Sequence, residues 1–170
     1  MRLGNSLLDP SENKLYVYEL YDVSPKSSSI VVIDLDNPND WKSISDLERS
    51  KQTHHHNALF DSSRKKIIIF GGYGYFSYSN DFSSYDIKTN KWEILDFSGD
   101  KIDPRFFSGI TKLAENKALL FGGQGNKTGD QSIGKKYYYD SYVIDFDTKK
   151  IKKIWEIDRE GVNMVSSRNL

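Results

Sequence analysis

The side chains most able to do chemistry are three consecutive histidines and two later arginines. His54, His55 and His56 are all the histidines of the chain. Side chains alternate along a strand, so at most His54 and His56 could share a metal ion, and two ligands are too few. An arginine can hold a carboxylate in bidentate fashion, and an internal salt bridge is an equally open alternative for Arg105. We therefore predict His54, His56, Arg105 and Arg168 as ligand or partner contacts, without a metal site.

An aromatic segment supplies a second group of candidates. Residues 73–80 read Tyr-Gly-Tyr-Phe-Ser-Tyr-Ser-Asn. Glycine with aromatic and small hydroxyl residues is typical of a stacking surface for sugars or of an adaptable protein contact. The alternative is that Tyr75 and Tyr78 pack inside the fold. We predict that Tyr73, Tyr75 and Tyr78 contribute to binding.

Several other kinds of chemistry find no support in the sequence. The chain has no cysteine, which removes disulfides, thiolate metal sites and a cysteine nucleophile. Lys+Arg and Asp+Glu are both 24, so no net charge draws the chain to nucleic acid, despite the basic-aromatic run at residues 135–139. No apolar stretch approaches the ~18 residues of a membrane-spanning helix. We therefore expect no catalytic residues, no cofactor, no nucleic-acid binding and no membrane insertion.

The elements that must position these residues come from an internal repeat. Phe70-Gly71-Gly72 and Phe121-Gly122-Gly123 each end an apolar run, and each is followed by a variable loop and a later tryptophan. Aligning the two diglycines matches His54 with Arg105 upstream. A weaker copy precedes them, with Glu19-Leu20 in place of the diglycine. A repeat of ~50 residues predicts a repeat architecture.

Each repeat carries the signals of four short strands. In the second repeat these are roughly residues 56–60, 66–70, 82–87 and 91–95, separated by polar turns. Asp86 and Thr89 suit the turn before the fourth strand, because short polar side chains bond to nearby backbone. Four strands per ~50 residues indicate an all-β fold of β-propeller blades.

The aromatic-Gly-Gly after a hydrophobic strand, the Tyr85-Asp86 pair and Trp92 resemble the kelch repeat, throughout the chain but loosely in its first part. This resemblance implies three four-stranded antiparallel blades, half of a six-bladed ring. We expect a divergent blade at 2–53 and further blades at 54–104 and 105–167. Because closed propellers need at least four blades, we expect either a piece of a longer propeller or the self-association of two three-blade halves.

Chain direction predicts one binding face. In a four-stranded meander, the start of strand one and the loop between strands two and three lie at the same end. We therefore expect a non-catalytic module that recognises a protein or peptide there. The alternative is a carbohydrate- or small-molecule-sensing domain of a larger bacterial regulatory or envelope protein, and a part of a kelch-fold enzyme ranks third. Many Lys, Asn, Ile and Tyr residues favour an extracytoplasmic bacterial location, although the compartment stays open.

Overall fold

The computed structural model describes residues 5–18, 30–45 and 53–157, and these form an all-β fold. The diglycine replacement at Glu19-Leu20 and the predicted contact Arg168 lie outside the described residues. No helix among the described residues is long and apolar enough to cross a membrane. Two compact units are present: Met1–Gln52, Phe60–Ile68 and Ser84–Glu93 form the first, and Thr53–Leu59, Ile69–Ser83 and Ile94–Leu170 form the second.

Three main sheets follow one another along the chain. The first has the order β1-β2-β3-β4 and antiparallel pairing throughout. Its strands are β1 (Asn5–Asp9), β2 (Lys14–Tyr18), β3 (Ile30–Asp34) and β4 (Trp41–Ser45). The second sheet has the order β10-β9-β6-β5 and contributes residues to both units. Its strands are β5 (Asn57–Asp61), β6 (Lys66–Phe70) and, after the hairpin of β7 (Tyr73–Gly74) and β8 (Ser77–Tyr78), β9 (Phe82–Asp86) and β10 (Lys91–Leu95).

The third sheet lies within the second unit and has the order β11-β18-β17-β14-β13. A small three-stranded sheet, β12-β15-β16, is formed from the same stretch of chain. The strands are β11 (Ser98–Gly99), β12 (Arg105–Phe106), β13 (Gly109–Ala114), β14 (Lys117–Phe121), β15 (Gln124–Gly125), β16 (Lys136–Tyr137), β17 (Asp140–Asp145) and β18 (Lys150–Glu156). A 3-10 helix, η1 (Gln131–Ile133), interrupts the loop between β15 and β16.

The predicted strands of the second repeat lie within one residue of β5, β6, β9 and β10. Their turns form as expected, because the Asp86 carboxylate accepts the backbone N–H groups of Lys88 and Thr89 at 2.9 and 3.0 Å. In the third sheet Asp145 does the same for Thr148 at 2.9 Å. Aspartate therefore closes the hairpin before the last strand in both repeats. The division of the chain into three blades stays a prediction.

The two diglycine repeats differ in how their apolar strands are buried. Ile67 to Phe70 of β6 are all buried, so both faces of that strand are covered. In β14 burial alternates, with Ala118 and Leu120 buried and Leu119 and Phe121 only half-buried. The third sheet thus has a core on one face, while its other face is partly open to solvent.

The structure corrects the upstream alignment of the two repeats by one residue. Thr53 donates its hydroxyl to the Gly71 carbonyl, and Arg105 donates Nη1 to the Gly122 carbonyl, so Thr53 and not His54 corresponds to Arg105. His55 and Phe107 then occupy equivalent places and share a φ of 53°. The reason is that the β13–β14 hairpin is one residue shorter than the β5–β6 hairpin.

Candidate functional site

An aromatic recess opens where the loop-bearing ends of the strands in the second unit meet. It has a volume of about 440 Å³. Five ring-bearing residues line it, together with three residues of the loop between β15 and β16 (residues 126–135), which we call the long loop. The lining residues are His55, Tyr73, Tyr78, Phe106, Phe107, Gln131, Gly134 and Lys135. We call this set the aromatic recess. Its composition, mostly rings with a few polar groups at the margin, is that of a small binding pocket.

Backbone pairing brings the recess together as the meander argument predicted. His54 and Tyr73 exchange hydrogen bonds of 2.7 and 2.9 Å, which joins the chain before β5 to the hairpin after β6. Phe106 of β12 pairs in the same way with Gln124 of β15. The start of the first strand and the loop after the second strand therefore lie side by side in both repeats.

The diglycines permit this close approach. A Cβ on Gly72 would lie 2.8 Å from the His54 carbonyl oxygen, and one on Gly123 would lie 2.9 Å from the Phe106 carbonyl oxygen. Both glycines also have positive φ, 93° and 108°. Only glycine satisfies both conditions without strain. The aromatic-Gly-Gly motif thus brings the loop against the start of the first strand.

The recess rings pack on one another. The His55 ring lies 4.2 Å from that of Phe107 and 5.4 Å from that of Tyr73, measured between centroids. Phe106 contacts Tyr73 edge-on at 5.0 Å and stacks on Tyr78 at 5.3 Å. Such offset and edge-to-face pairs stabilise each other beyond simple burial. The walls of the recess are therefore ordered before any ligand binds.

Cations lie at the margin of the recess. The Lys135 ammonium lies 5.3 Å above the Phe106 ring, and that of Lys136 lies 4.8 Å above the Tyr138 ring. The acidic residue of the same loop, Asp130, has its carboxylate bound to the backbone and hydroxyl of Ser132, which lowers its pKa. The Asp130 carboxylate therefore stays ionised, and the exposed charges of this stretch are one carboxylate and the three lysines Lys127, Lys135 and Lys136.

Arg105 does not present its guanidinium to a ligand, contrary to the prediction. The residue is 1 % exposed and forms a bidentate ion pair with Asp140, with N–O distances of 2.6 and 3.0 Å. Nη1 also donates to the Gly122 carbonyl and Nε donates to the Asp103 carbonyl, each at 3.0 Å. The physical reason is that Arg105 belongs to the strand start that turns under the recess, where a buried charge requires a full set of partners. The structural alternative, an internal salt bridge, is what the structure contains.

Two buried tyrosines complete this ion-pair cluster. The Arg105 guanidinium lies 3.9 Å from the centroid of the Tyr138 ring, and Tyr142 donates its hydroxyl to Asp140 at 3.0 Å. Burial, followed by the nearby carboxylate of Asp103, raises the pKa of the Tyr138 hydroxyl far above its usual range. Burial and Asp140 raise the pKa of Tyr142 in the same direction. Both hydroxyls stay protonated at neutral pH and serve the packing of the cluster.

The histidines do not alternate as a strand would require. His55 has a φ of 53°, and β5 begins only at Asn57. His54 is exposed, whereas a ring nitrogen of His56 lies 2.6 Å from the Thr53 carbonyl oxygen. His55, which we did not predict as a contact, is the histidine that lines the recess. Because His55 has a positive φ, His55 lines the recess in place of the predicted His54 and His56.

Of the other predicted residues, Tyr73 and Tyr78 line the recess, and Tyr75 lies outside it on the hairpin turn. The sequence analysis missed Phe106, Phe107, Gln131 and Lys135. A signal for the two phenylalanines was present, because they follow Arg105 at the start of the repeat, next to the predicted face. Gln131 and Lys135 carried no comparable signal, since their position depends on the path of a long loop.

The fold and the site together define a class: an all-β chain of several, largely antiparallel sheets, in which each diglycine loop lies against the chain at the start of a strand. Comparison with known proteins names the family. The sequence model of the KLHDC2/KLHL20/DRC7 Kelch-repeats domain matches residues 6–164, and the chain belongs to the kelch-repeat family. Comparison with curated proteins gives no match.

Proposed function

We propose that this kelch-repeat chain is a non-catalytic binding module that takes a side chain of a protein or peptide partner into the aromatic recess. The family supports the general role, because kelch repeats commonly form protein-interaction propellers. The observation that carries the specific proposal is the recess itself, about 440 Å³ in volume and lined by packed rings. Aromatic residues held in place supply much of the binding energy in protein interfaces.

The chemistry of the recess favours an apolar anchor. The rings of Tyr73, Phe106 and Phe107 form its walls, and an apolar side chain would gain by leaving water for this surface. Because the walls are already packed on one another, little conformational entropy is lost on binding. Lys135 at the margin would contact a polar or anionic group beside the anchor.

The same geometry bears on the other candidate functions. Histidine is the side chain that most often transfers protons near neutral pH, and the ring of the recess histidine, His55, packs between Phe107 and Tyr73. This packing favours binding over proton transfer. A sugar stacks on a ring face, and the stacking of Tyr78 on Phe106 leaves at most one face of each ring for it. A carbohydrate-sensing domain therefore ranks second, and a catalytic role ranks third.

A random peptide library displayed on phage, selected on the immobilised full chain, tests the proposal. The dissociation constant of each selected synthetic peptide is then measured by calorimetry for the wild type and for Phe107→Gly. Glycine adopts the φ of 53° at Phe107 without steric cost, so this variant removes a recess ring while relieving backbone strain. Leu113→Ala is the matched control, because Leu113 is an apolar residue, 55 % exposed, that does not line the recess.

The expected result is a set of peptides that share an apolar residue and bind Phe107→Gly at least about tenfold more weakly, a loss of about 1.4 kcal/mol. Leu113→Ala should bind them as the wild type does. Equal binding to wild type and Phe107→Gly would place the peptide site elsewhere. Binding of mono- or disaccharides that is lost in Phe107→Gly, without peptide binding, would favour the carbohydrate-sensing alternative.

A further inference from the structure

The turn of the β7–β8 hairpin exposes two large aromatic side chains in an unfavourable backbone conformation. Tyr75 and Phe76 are 80 % and 88 % exposed. Their φ angles are 51° and 61°, as in a two-residue turn that normally takes Asn-Gly. Bulky residues are rare at positive φ, because their Cβ crowds the backbone. Such strain with no gain in burial points to a function for the two rings. We call Tyr75 and Phe76 the aromatic tip.

The aromatic tip is held firmly by the long loop beside it. The Phe76 carbonyl accepts the Gln131 N–H at 3.2 Å, and the Gly129 carbonyl accepts the Tyr78 N–H at 2.6 Å. The Gln131 side chain also donates to the Ser77 carbonyl at 3.1 Å. A tip fixed in this way loses little freedom on docking, which is the property of a preorganised interface anchor.

The second unit also carries a pocket that matches the tip. This pocket has a volume of about 420 Å³. Apolar side chains including Ile94, Phe97 and Ile102 line it, and three exposed aspartates, Asp81, Asp96 and Asp100, stand around it. One lysine, Lys101, is also part of the lining. We call it the acidic pocket.

The charges around the two features are opposite. Three lysines, Lys127, Lys135 and Lys136, are exposed on the loop that holds the aromatic tip and at the start of β16, against one exposed carboxylate, that of Asp130. The acidic pocket has three carboxylates against one ammonium group. An aromatic tip with basic surroundings and an apolar pocket with acidic surroundings are complementary in both packing and electrostatics.

The tip and the pocket also lie close together on one molecule. Asp81 comes five positions after Phe76, and a chain of that length spans at most about 18 Å. A standard interface of about 800 Å² per partner is roughly 30 Å across. Both features therefore fit within one interface. Two copies related by a twofold axis could each insert a tip into the pocket of the other.

We propose that a second copy of this chain docks on the first through this exchange, the aromatic tip of each copy filling the acidic pocket of the other. The structure supplies both halves of the contact, which is the reason to prefer a second copy over an unrelated protein. A lipid bilayer fits less well, because the exposed carboxylate of Asp130, which lies beside the tip opposite Ser77, would have to leave water for hydrocarbon.

Sedimentation equilibrium of the full chain over a range of concentrations tests the proposal. The first variant is Tyr75→Asn with Phe76→Gly, which places the preferred Asn-Gly pair in the turn. This change should strengthen the hairpin, so lost association cannot be attributed to misfolding. We expect a dimer in the wild type, a dissociation constant at least about 30-fold higher in the variant, and no change in Leu113→Ala.

A charge exchange tests the reciprocal geometry. Asp96→Lys leaves the pocket with two carboxylates and two ammonium groups, so its attraction for the basic tip region is lost. Lys127→Glu with Lys136→Glu makes the tip region acidic, so like charges face each other. Each change alone should therefore weaken the dimer. Mixing the two variants should give a heterodimer tighter than either variant's own dimer, because one of its two contacts pairs the unchanged basic tip with the unchanged acidic pocket and the other pairs the acidic tip with a pocket that no longer repels it. Added salt should weaken the wild-type dimer.

Three results would overturn the proposal. The first is a monomer at every concentration. The second is a dimer that Leu113→Ala disrupts and the tip variant does not, which would assign association to the third sheet. The third is tip-dependent binding to phosphatidylserine-containing vesicles without a change in mass, which would assign the tip to a membrane surface.

Discussion

Removing the Arg105 side chain should destabilise the second unit more than any single change at the surface. In Arg105→Ala the carboxylate of Asp140 stays buried but loses its bidentate partner, whose N–O distances are 2.6 and 3.0 Å. The Gly122 carbonyl also loses its donor at 3.0 Å, and the Tyr138 ring loses the cation 3.9 Å from its centroid. The variant therefore leaves an uncompensated charge in a site closed to water.

The size of the effect follows from these contacts. Breaking a buried ion pair by removing one partner costs about 3–5 kcal/mol. With a urea dependence of about 2 kcal/mol per molar, the midpoint of unfolding should fall by about 2 M. Replacing both partners, as in Arg105→Met with Asp140→Leu, should cost less than Arg105→Met alone, since no charge is then left buried.

Urea titrations followed by circular dichroism give the free energies of unfolding. The control is Lys14→Ala, which removes one of the two lysines paired with Glu12, in an ion pair whose side chains are 36 % and 41 % exposed. An exposed pair contributes at most about 1 kcal/mol. If Arg105→Ala costs no more than Lys14→Ala, the argument that Arg105 is a structural residue is refuted, and its role as a ligand contact reopens.

Two further predictions concern the diglycine and the loss of folding stability at acid pH. Gly72→Ala combines a φ of 93° with a contact 2.7 Å from the Thr53 side chain and should lower the free energy of unfolding by about 2–4 kcal/mol. At Gly134, φ is 89° and an added Cβ would meet no atom within 4 Å, so Gly134→Ala should cost only the backbone strain of a positive φ, about 1 kcal/mol. Equal losses in the two variants would show that the close contact at Gly72 does not matter. Although burial opposes it, hydrogen bonds from Ser63 and Arg64 lower the pKa of Asp61 in the folded state. The contribution of the Asp61 carboxylate to the free energy of unfolding is therefore present above the unfolded pKa of about 3.9 and is lost as the pH falls through the folded pKa. Asp61→Asn should lower the free energy of unfolding at pH 7 by about 1–2 kcal/mol, and its stability should fall less steeply with acid than that of the wild type. Parallel plots of stability against pH for the two proteins would contradict this.

The sequence predicted the fold wherever a local rule determined the structure. The four strands of the second repeat and the Asp86 turn follow from alternation and from the hydrogen-bonding reach of a short side chain. The diglycine positions were also predictable, because positive φ and close backbone approach both require glycine. Membership of the kelch-repeat family is confirmed over residues 6–164.

The candidate site was predictable in its location and only partly in its residues. The meander places the loop between strands two and three beside the start of strand one, and Tyr73 and Tyr78 line the recess. That they contact a partner stays a prediction. Arg105 was misassigned because sequence does not show whether a charge has a buried partner 35 residues later. His55 was missed because one residue at positive φ breaks the alternation on which the prediction relied.

The distribution of backbone strain strengthens the functional argument. Eight non-glycine residues have positive φ among those that the structure describes. Four are asparagines or lysines in tight hairpin turns, where such angles are common. The other four carry rings, and all of them lie at the recess or on the aromatic tip: His55, Tyr75, Phe76 and Phe107. Glycine or asparagine at these four positions would fold more easily, so folding alone gives no reason for rings there. Binding does give a reason, because large rigid side chains in a fixed conformation are the strongest anchors of a protein interface.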